Sequence, residues 1–363
     1  MIIMKWRMLL LTSLLMFCFT FSNPPITSTL NVPNTSDVSV LMLIADNFGW
    51  NYYDAREIFE SWGVNVTTVA YSLDHNITSC TRPNTGENET ILVEYTHQEM
   101  TPEMVAQFDC LFVPSGGQWS SLIVGGAPLT FIADAYNMGL IVASICTGTR
   151  VVSESHEIVN GSKVVWYSLS SGFMVQAGAT LIDEMETVAD GRMITGGGGV
   201  GPTGSGYLAA PTSEVCAEVV RQALGLSRVQ ETSLTSSNGP IGSDFTITAV
   251  VDTLSDSLGD ILSTDIQEVT AHIYSFGNRT LVDTIELTDD NLDGNYTGLV
   301  NGLEHGEYIA DIEIVDSNST LEVVKEVETF EVGIEPINFV LISAVAGGGI
   351  IIVVLVLALI RKK

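Results

Sequence analysis

The sequence predicts an α/β fold, a parallel sheet covered by helices on both faces, followed by an all-β sandwich and one membrane-spanning helix. Three observations carry this. Strand and helix patterns alternate from Val38 to Leu226, short polar/apolar strands separated by Gly, Asn and Asp turns run through residues 229–333, and Ile337 to Ile360 is free of charge.

The elements follow in order. "VSVLMLIAD" has the continuous apolar character of a strand buried on both faces. In "DAREIFESWG", Ala55, Ile58, Phe59 and Trp62 share one helical face before Gly63 stops the helix, and "VNVTTVAYS" is a second strand. The order then repeats. "TPEMVAQF" is a short helix, "DCLFVPSGG" a strand ending in a glycine pair, "LTFIADAYNMG" a helix and "LIVASIC" a strand that runs into a further helix reaching about Ser155. A less regular stretch with short strands follows, and "SEVCAEVVRQALGL" is an amphipathic closing helix, which ends the first domain, residues 38–228. Segments such as "DFTITAVVDT", "EVTAHIYSF" and "GEYIADIEIV" then make residues 229–333 an all-β domain, whose length and strand spacing fit an immunoglobulin-like sandwich.

The chain ends indicate a location. Met1 to Arg7 carries Lys5 and Arg7, and the 14-residue run Met8 to Phe21 is uncharged, so residues 1–22 read as a secretory signal peptide, with an uncleaved anchor as the alternative. Residues 23–37, polar and Pro-containing, read as a flexible leader. The 24 residues from Ile337 to Ile360 are long enough to cross a hydrocarbon core of about 30 Å as a helix. "RKK", residues 361–363, follows at once and reads as a short cytoplasmic tail, which puts the folded domains outside the cell membrane in a single-pass arrangement.

Charge excludes one class of partner. Asp and Glu outnumber Lys and Arg by 43 to 14, and the net charge of −29 repels phosphate backbones, so nucleic acid is not an expected partner. Asn-x-Ser/Thr acceptors occur at Asn34, Asn65, Asn76, Asn88, Asn160, Asn278, Asn295 and Asn318, as a secreted glycoprotein would permit. Beyond the signal, Cys80, Cys110, Cys146 and Cys216 allow up to two disulfides and show no metal-ligand spacing.

Cys146 is the candidate for chemistry. It stands where "IVASIC" turns into "TGTR", at the carboxyl end of a strand, where ligands and nucleophiles of open parallel sheets gather. A sharp strand-to-helix turn exposes its corner side chain, and the helix N-terminus favours a thiolate. "PSGGQW" adds Gly116 and Gly117 at an adjacent strand end, where backbone amides approach a substrate closely. On these features alone, a nucleophile and a packed structural cysteine stand equally open.

"FDCLFVPSGG", "IVASICTGT", "HEIVNGSKVV" and "MVQAGATLIDEMETVADGRMITGGG", preceded by "VLMLIADNFGWNYYDAREIFESWGVNVTTVAY", resemble the ThiJ/PfpI (DJ-one) family of the class I glutamine amidotransferase-like superfamily, over roughly Val38 to Leu226. The resemblance implies a flavodoxin-like sandwich with the cysteine at a nucleophile elbow, usually in a homodimer or larger oligomer. It also implies an activity drawn from peptidases, glyoxalase or deglycase enzymes, isonitrile hydratases and chaperones, on a small-molecule or peptide substrate and with no cofactor. Carried onto this chain, Cys146 is the nucleophile, and the amides of Gly117 and Thr147, with Gly116 as an addition, are the oxyanion donors.

Three departures bear on the reaction. Many members carry a Glu after the first strand where this chain has Tyr52, and others a His where it has Tyr167; Thr147 stands where peptidase-like members have His. Pocket groups in their place are Asp46, Tyr52 or Tyr167, with Asp54 or a histidine from elsewhere as further substitutes for a base. His156 reads as a packing residue, His75 and His97 as surface loop residues flanking a polar insertion, and His272 and His305 as part of the sandwich. The competing reading is a non-catalytic binding or sensory module.

Two weaker patterns remain. Asp289, Asn291 and Asp293 before Gly294 resemble the start of a calcium loop, but position twelve is Val300, so a polar hairpin is the preferred reading and no metal is expected. "TGGGGVGPTGSG" lacks the Lys-Ser/Thr of a phosphate-binding loop and reads as a close-packed connection.

Overall fold

Strand β1 (Ser39–Ile44) lies at the centre of a parallel sheet because five of its six side chains are buried, so both its faces are covered. The computed structural model describes residues 34–82, 85–197, 211–254 and 265–333, and the backbone of Leu341–Ala346 and Gly349–Val354. The expected signal peptide and the cytoplasmic tail, with most of the leader and of the glycine-rich connection, lie outside these residues.

From β1 the chain passes through α1 (Asn51–Ser61) to β2 (Asn65–Ala70). The polar insertion that follows is not an open loop. It folds as a hairpin, β3 (Asn76–Thr78) and β4 (Thr90–Leu92), pinned by the fully buried Ile77 opposite Ile91, before the two-residue strand β5 (Tyr95–Thr96). Next come α2 (Pro102–Val105), β6 (Cys110–Val113), α3 (Trp119–Val124), α4 (Ala127–Asn137), β7 (Ile141–Ile145) and α5 (Thr147–Val152). The less regular stretch holds α6 (His156–Val159), β8 (Lys163–Val165), α7 (Ser171–Gln176) and β9 (Thr180–Ile182), with β8 and β9 paired parallel. A tight antiparallel pair, β10 (Thr187–Asp190) and β11 (Met193–Gly196), returns to the main sheet, and α8 (Thr212–Ala223) closes this part.

Two apolar layers sandwich that sheet. On one face Val40, Met42, Phe112 and Ala143 meet Phe59 of α1 and Val215 and Val219 of α8; on the other Leu41, Leu111 and Val142 meet Ile132 of α4 and Val151 of α5. This is the period-two alternation of a strand read out as two cores.

The β region contains β12 (Val229–Leu234), β13 (Asn238–Gly239), β14 (Phe245–Val251), β15 (Ile266–Ser275), β16 (Leu281–Leu287), β17 (Asn295–Val300), β18 (Gly306–Asp316) and β19 (Thr320–Val332). Strands β12, β14 and β17 form one antiparallel sheet, and its inward Phe245, Ile247 and Ala249 share a core with Ala271, Ile312 and Phe330 of a second. That second sheet continues into the α/β part. Strand β19 pairs parallel with β10, Thr187 opposite Thr320 through Asp190 opposite Val323, so the order runs β16-β15-β18-β19-β10-β11-β7-β6-β1-β2-β5.

Charge is buried at this junction. Arg228 forms ion pairs with Glu218 at 3.0 Å, Glu322 at 3.1 Å and Asp316 at 3.3 Å, and Arg221 with Glu218 at 2.7 Å and Glu322 at 2.9 Å. Burial opposes ionisation of Glu218, but Arg221 and Arg228 together hold its carboxyl below the usual range. Glu322 is pushed above that range, by burial first, with Glu218 beside it adding repulsion that the two guanidiniums do not offset.

Of the segment Ile337 to Ile360, expected as one spanning helix, half lies outside the described residues. Within it the backbone of β20 (Leu341–Ala346) pairs antiparallel with β21 (Gly349–Val354), in keeping with the strand preference of their Ile and Val residues. Among the described residues no helix is long and apolar enough to cross a membrane.

Candidate active site

Cys146 stands between β7 and α5 with φ 54° and ψ −123°. A non-glycine residue held there stores about 1–3 kcal/mol of strain, which the surroundings must enforce. The Cys146 N–H donates to the Gly196 carbonyl at 3.0 Å, and its carbonyl accepts from the Thr149 N–H at 3.0 Å and the Thr149 hydroxyl at 2.6 Å. Gly148 permits the turn, because a Cβ there would lie 2.1 Å from the Val113 carbonyl oxygen of β6.

The glycine pair beside it is clamped by the residue after the cysteine. Thr147 Oγ1 accepts from the Gly116 N–H at 2.7 Å and donates to the Gly116 carbonyl at 3.0 Å. Gly116 has φ +115°, and a Cβ on it would fall 2.2 Å from the Gly49 nitrogen. The Gly116 amide is thus engaged by Thr147, whereas the Gly117 N–H has no hydrogen-bond partner among the described residues. The Thr147 N–H acts on the Cys146 sulfur by drawing the thiol down, against burial. Of the three expected donors, Gly117 and Thr147 are those available to a developing negative charge.

Tyr167 closes the site from the strand β8 side. The Cys146 thiol donates to the Tyr167 hydroxyl at 3.3 Å, and Tyr167 is itself buried, its N–H donating to the Ser171 hydroxyl at 2.8 Å. Burial pushes the Cys146 thiol above its ordinary value; the Tyr167 hydroxyl and the Thr147 N–H pull the other way without cancelling it. The expectation that the helix N-terminus favours a thiolate is therefore outweighed by desolvation. α5, at six residues, is a short dipole.

The other expected pocket groups bond elsewhere. The Tyr52 hydroxyl is 2.8 Å from Thr68 Oγ1 and accepts from Arg56 at 3.0 Å, which ties it to β2. Asp46 accepts from the Thr78 N–H of the hairpin at 2.9 Å, and Asp54 is exposed on α1. Among the histidines, His75 pairs with Glu99 at 3.2 Å, and His97 packs on Tyr71 with ring centroids 4.6 Å apart. His272 bonds Glu313 at 3.1 Å and is pushed down to about 4, by burial first and then by Lys163. His156 and His305 are exposed. Among the described residues, the bonds of His75 and His272 go to partners other than Cys146.

Three residues not singled out from the sequence build the scaffold. Gln118, buried directly after the glycine pair, accepts from the Ala45 N–H at 2.7 Å and donates to the Pro114 and Ser115 carbonyls at 2.8 and 3.0 Å. Asn51 Oδ1 accepts from the Ser115 N–H at 3.0 Å and the Ser115 hydroxyl at 2.7 Å. Asn47, at φ 72°, sets its carboxamide beside Gly117. The available signal was a polar residue abutting each glycine-bearing turn.

Among the described residues, Cys110, Cys146 and Cys216 are unbridged. Among the described residues no group of three or more His, Cys, Asp and Glu side chains has the arrangement of a metal site. The Asp289 carboxylate is taken up by its own turn, accepting from the Asp293 N–H at 3.2 Å and the Gly294 N–H at 2.8 Å, as expected of a polar hairpin.

Residues 38–203 match the sequence model of the DJ-1/PfpI family. No curated protein matches the chain. Among solved structures it is similar to a ThiJ/PfpI domain protein from Brachyspira murdochii, with 18% identity and a TM-score of 0.42 over 53% of this chain and 98% of that one. Schizosaccharomyces pombe DJ-1 overlaps with 16% identity and a TM-score of 0.41 over 51% of this chain and 91% of its own. A two-domain protein from Anabaena variabilis, with DJ-1/ThiJ/PfpI-like and ferritin-like domains, overlaps with 18% identity and a TM-score of 0.41 over 52% of this chain, which spans 47% of that protein's length. From the family match and the elbow at Cys146, the chain carries a DJ-1/PfpI domain over residues 38–203, continued by an antiparallel β region.

Proposed function

We propose that Cys146 is the nucleophile of a cysteine-dependent hydrolase or lyase-type enzyme acting on a small carbonyl-containing or peptide substrate. The observation that carries this reading is the strained Cys146 backbone, φ 54°, held beside the free Gly117 amide. In this reading the sulfur bonds to the substrate carbonyl carbon, the carbonyl electron pair moves to oxygen, and the Gly117 and Thr147 N–H groups receive that oxyanion. The thiol proton passes to the Tyr167 oxygen; as the oxyanion pair re-forms the carbonyl, the bond from its carbon to the leaving group breaks, the leaving group takes that pair and the Tyr167 hydroxyl proton, and water then cleaves the thioester to return the Cys146 thiol. Tyr167 thus takes the place of the Glu and His that other members of the family use.

A non-catalytic binding or sensory module is the second reading. The raised thiol and the lack of any carboxylate or imidazole bonded to Cys146 among the described residues favour it. The pH dependence of iodoacetamide labelling of Cys146 in the folded, reduced chain, with Cys146→Ser as control, separates the two. Labelling of the native fold together with Cys146-dependent turnover of amide, ester or dicarbonyl substrates supports the enzyme. Saturable ligand binding that survives Cys146→Ala without turnover supports the module.

The location proposed is the cell surface, with the β region as an immunoglobulin-like stalk and Ile337 to Ile360 as the anchor. Support comes from the 24 uncharged residues followed by "RKK". An open two-stranded hairpin leaves edge N–H and C=O groups unsatisfied in hydrocarbon, so insertion requires this segment to become a helix. Carbonate-resistant association of the full chain with membranes, lost on deleting residues 337–360, is the expected result; release of the intact chain by carbonate would overturn it.

A further inference from the structure

We infer that the folded part of this chain is an acceptor of N-linked glycans, with Asn88, Asn295 and Asn318 as its principal sites. The inference rests on the proposed outward placement. Of the 18 asparagines, eight stand in Asn-x-Ser/Thr, with no Pro between. The 66 Ser and Thr residues among 363 would place a hydroxyl two positions after about three of them by chance. The excess asks for a cause, and the fold supplies a compatible one.

All eight asparagines are exposed, and all lie in turns or at the ends of elements, where a bulky substituent displaces no packed side chain. Asn34 caps the 3-10 turn Thr35–Asp37, and Asn65, Asn76 and Asn295 are the first residues of β2, β3 and β17. Asn88 lies in the β3–β4 loop, Asn160 follows α6, and Asn278 and Asn318 lie in the β15–β16 and β18–β19 turns. Asn51 provides the contrast: it is buried under the site, bonded to Ser115, and carries no acceptor pattern.

The side-chain amides rank the eight. Asn65 Nδ2 donates to the Ser36 carbonyl at 2.8 Å, and Asn76 Nδ2 to Asp74 at 3.1 Å. Asn34 and Asn278 use their Oδ1 atoms as acceptors within their turns, and Asn160 Oδ1 packs against Gly178. The carboxamides of Asn88, Asn295 and Asn318 make no hydrogen bond among the described residues, so a sugar on Nδ2 costs the fold nothing there. The transfer forms a bond from Nδ2 to the anomeric carbon of a glycan carried on a lipid phosphate. The anomeric C–O bond breaks, the lipid phosphate leaves, and the amide loses one proton.

The test is glycopeptide mass spectrometry on the full chain recovered from membranes of the cell that makes it, alongside protease accessibility of the same intact cells. External protease access together with glycan at Asn88, Asn295 and Asn318 is the expected result. The triple variant N88Q/N295Q/N318Q then loses three glycans in intact mass while keeping its melting temperature within a few degrees. Access with unmodified asparagine at all three positions would overturn the inference while leaving the outward placement standing. A chain shielded in intact cells and unmodified would overturn both.

Discussion

The Tyr167 hydroxyl stands 3.3 Å from the Cys146 sulfur and is the side-chain group that pulls the thiol toward its ionised form, against burial. A raised thiol titrates above the ordinary value of about 8.5, and labelling by iodoacetamide should show that inflection. Tyr167→Phe removes a hydrogen bond to a charged sulfur, worth about 1.5–3 kcal/mol, and should move the inflection up by about one to two pH units. An unchanged inflection would mean that the tyrosine does not act on the sulfur.

Thr147 should prove a positioning residue as well as an amide donor. Thr147→Val keeps the shape but leaves the buried Gly116 peptide without its partner, at a cost of about 1–3 kcal/mol in urea denaturation; Thr147→Ser should recover most of it. A loss in Thr147→Ser with none in Thr147→Val would assign the effect to the methyl group instead.

Replacing Arg228 by Met should destabilise the protein by about 3–5 kcal/mol, because it leaves Glu218, Glu322 and Asp316 buried around Arg221 alone. Thermal or chemical denaturation checks this. A loss below about 1 kcal/mol would show that water reaches the junction.

The same cluster sets a pH dependence. Glu322 binds its proton more tightly in the folded chain, so its contribution is present at low pH and declines as pH rises from the ordinary carboxyl value of about 4.3 through the raised one. Glu218, held low by its guanidiniums, contributes above the ordinary value and loses that contribution as pH falls. Glu322→Gln should therefore flatten the decline of melting temperature on the alkaline side and leave the acid side in place. A parallel shift of the whole profile would refute the assignment.

Much of the α/β part was legible because each element repeats a local period. The apolar run of β1 and the Ala55–Phe59 face of α1 each state their own burial. Cys146 was legible for the same reason: a strand, a corner residue and Thr-Gly occur within eight positions. The hairpin hidden in the polar insertion was not, because Ile77 and Ile91 are single apolar residues whose pairing appears only when the loop closes.

The sequence by itself determined the order of strands and helices, the break in texture near Val229 and the nucleophile candidate, since all three depend on residues close together in the chain. Only the tertiary structure decided that Tyr167, and not Tyr52 or Asp46, meets the sulfur, that Thr147 engages the Gly116 amide, and that β19 extends the α/β sheet through β10. These are contacts between residues from 21 to more than 130 positions apart. A hydroxyl or a strand edge carries no local mark of which distant partner will satisfy it; packing of the whole sheet makes that choice.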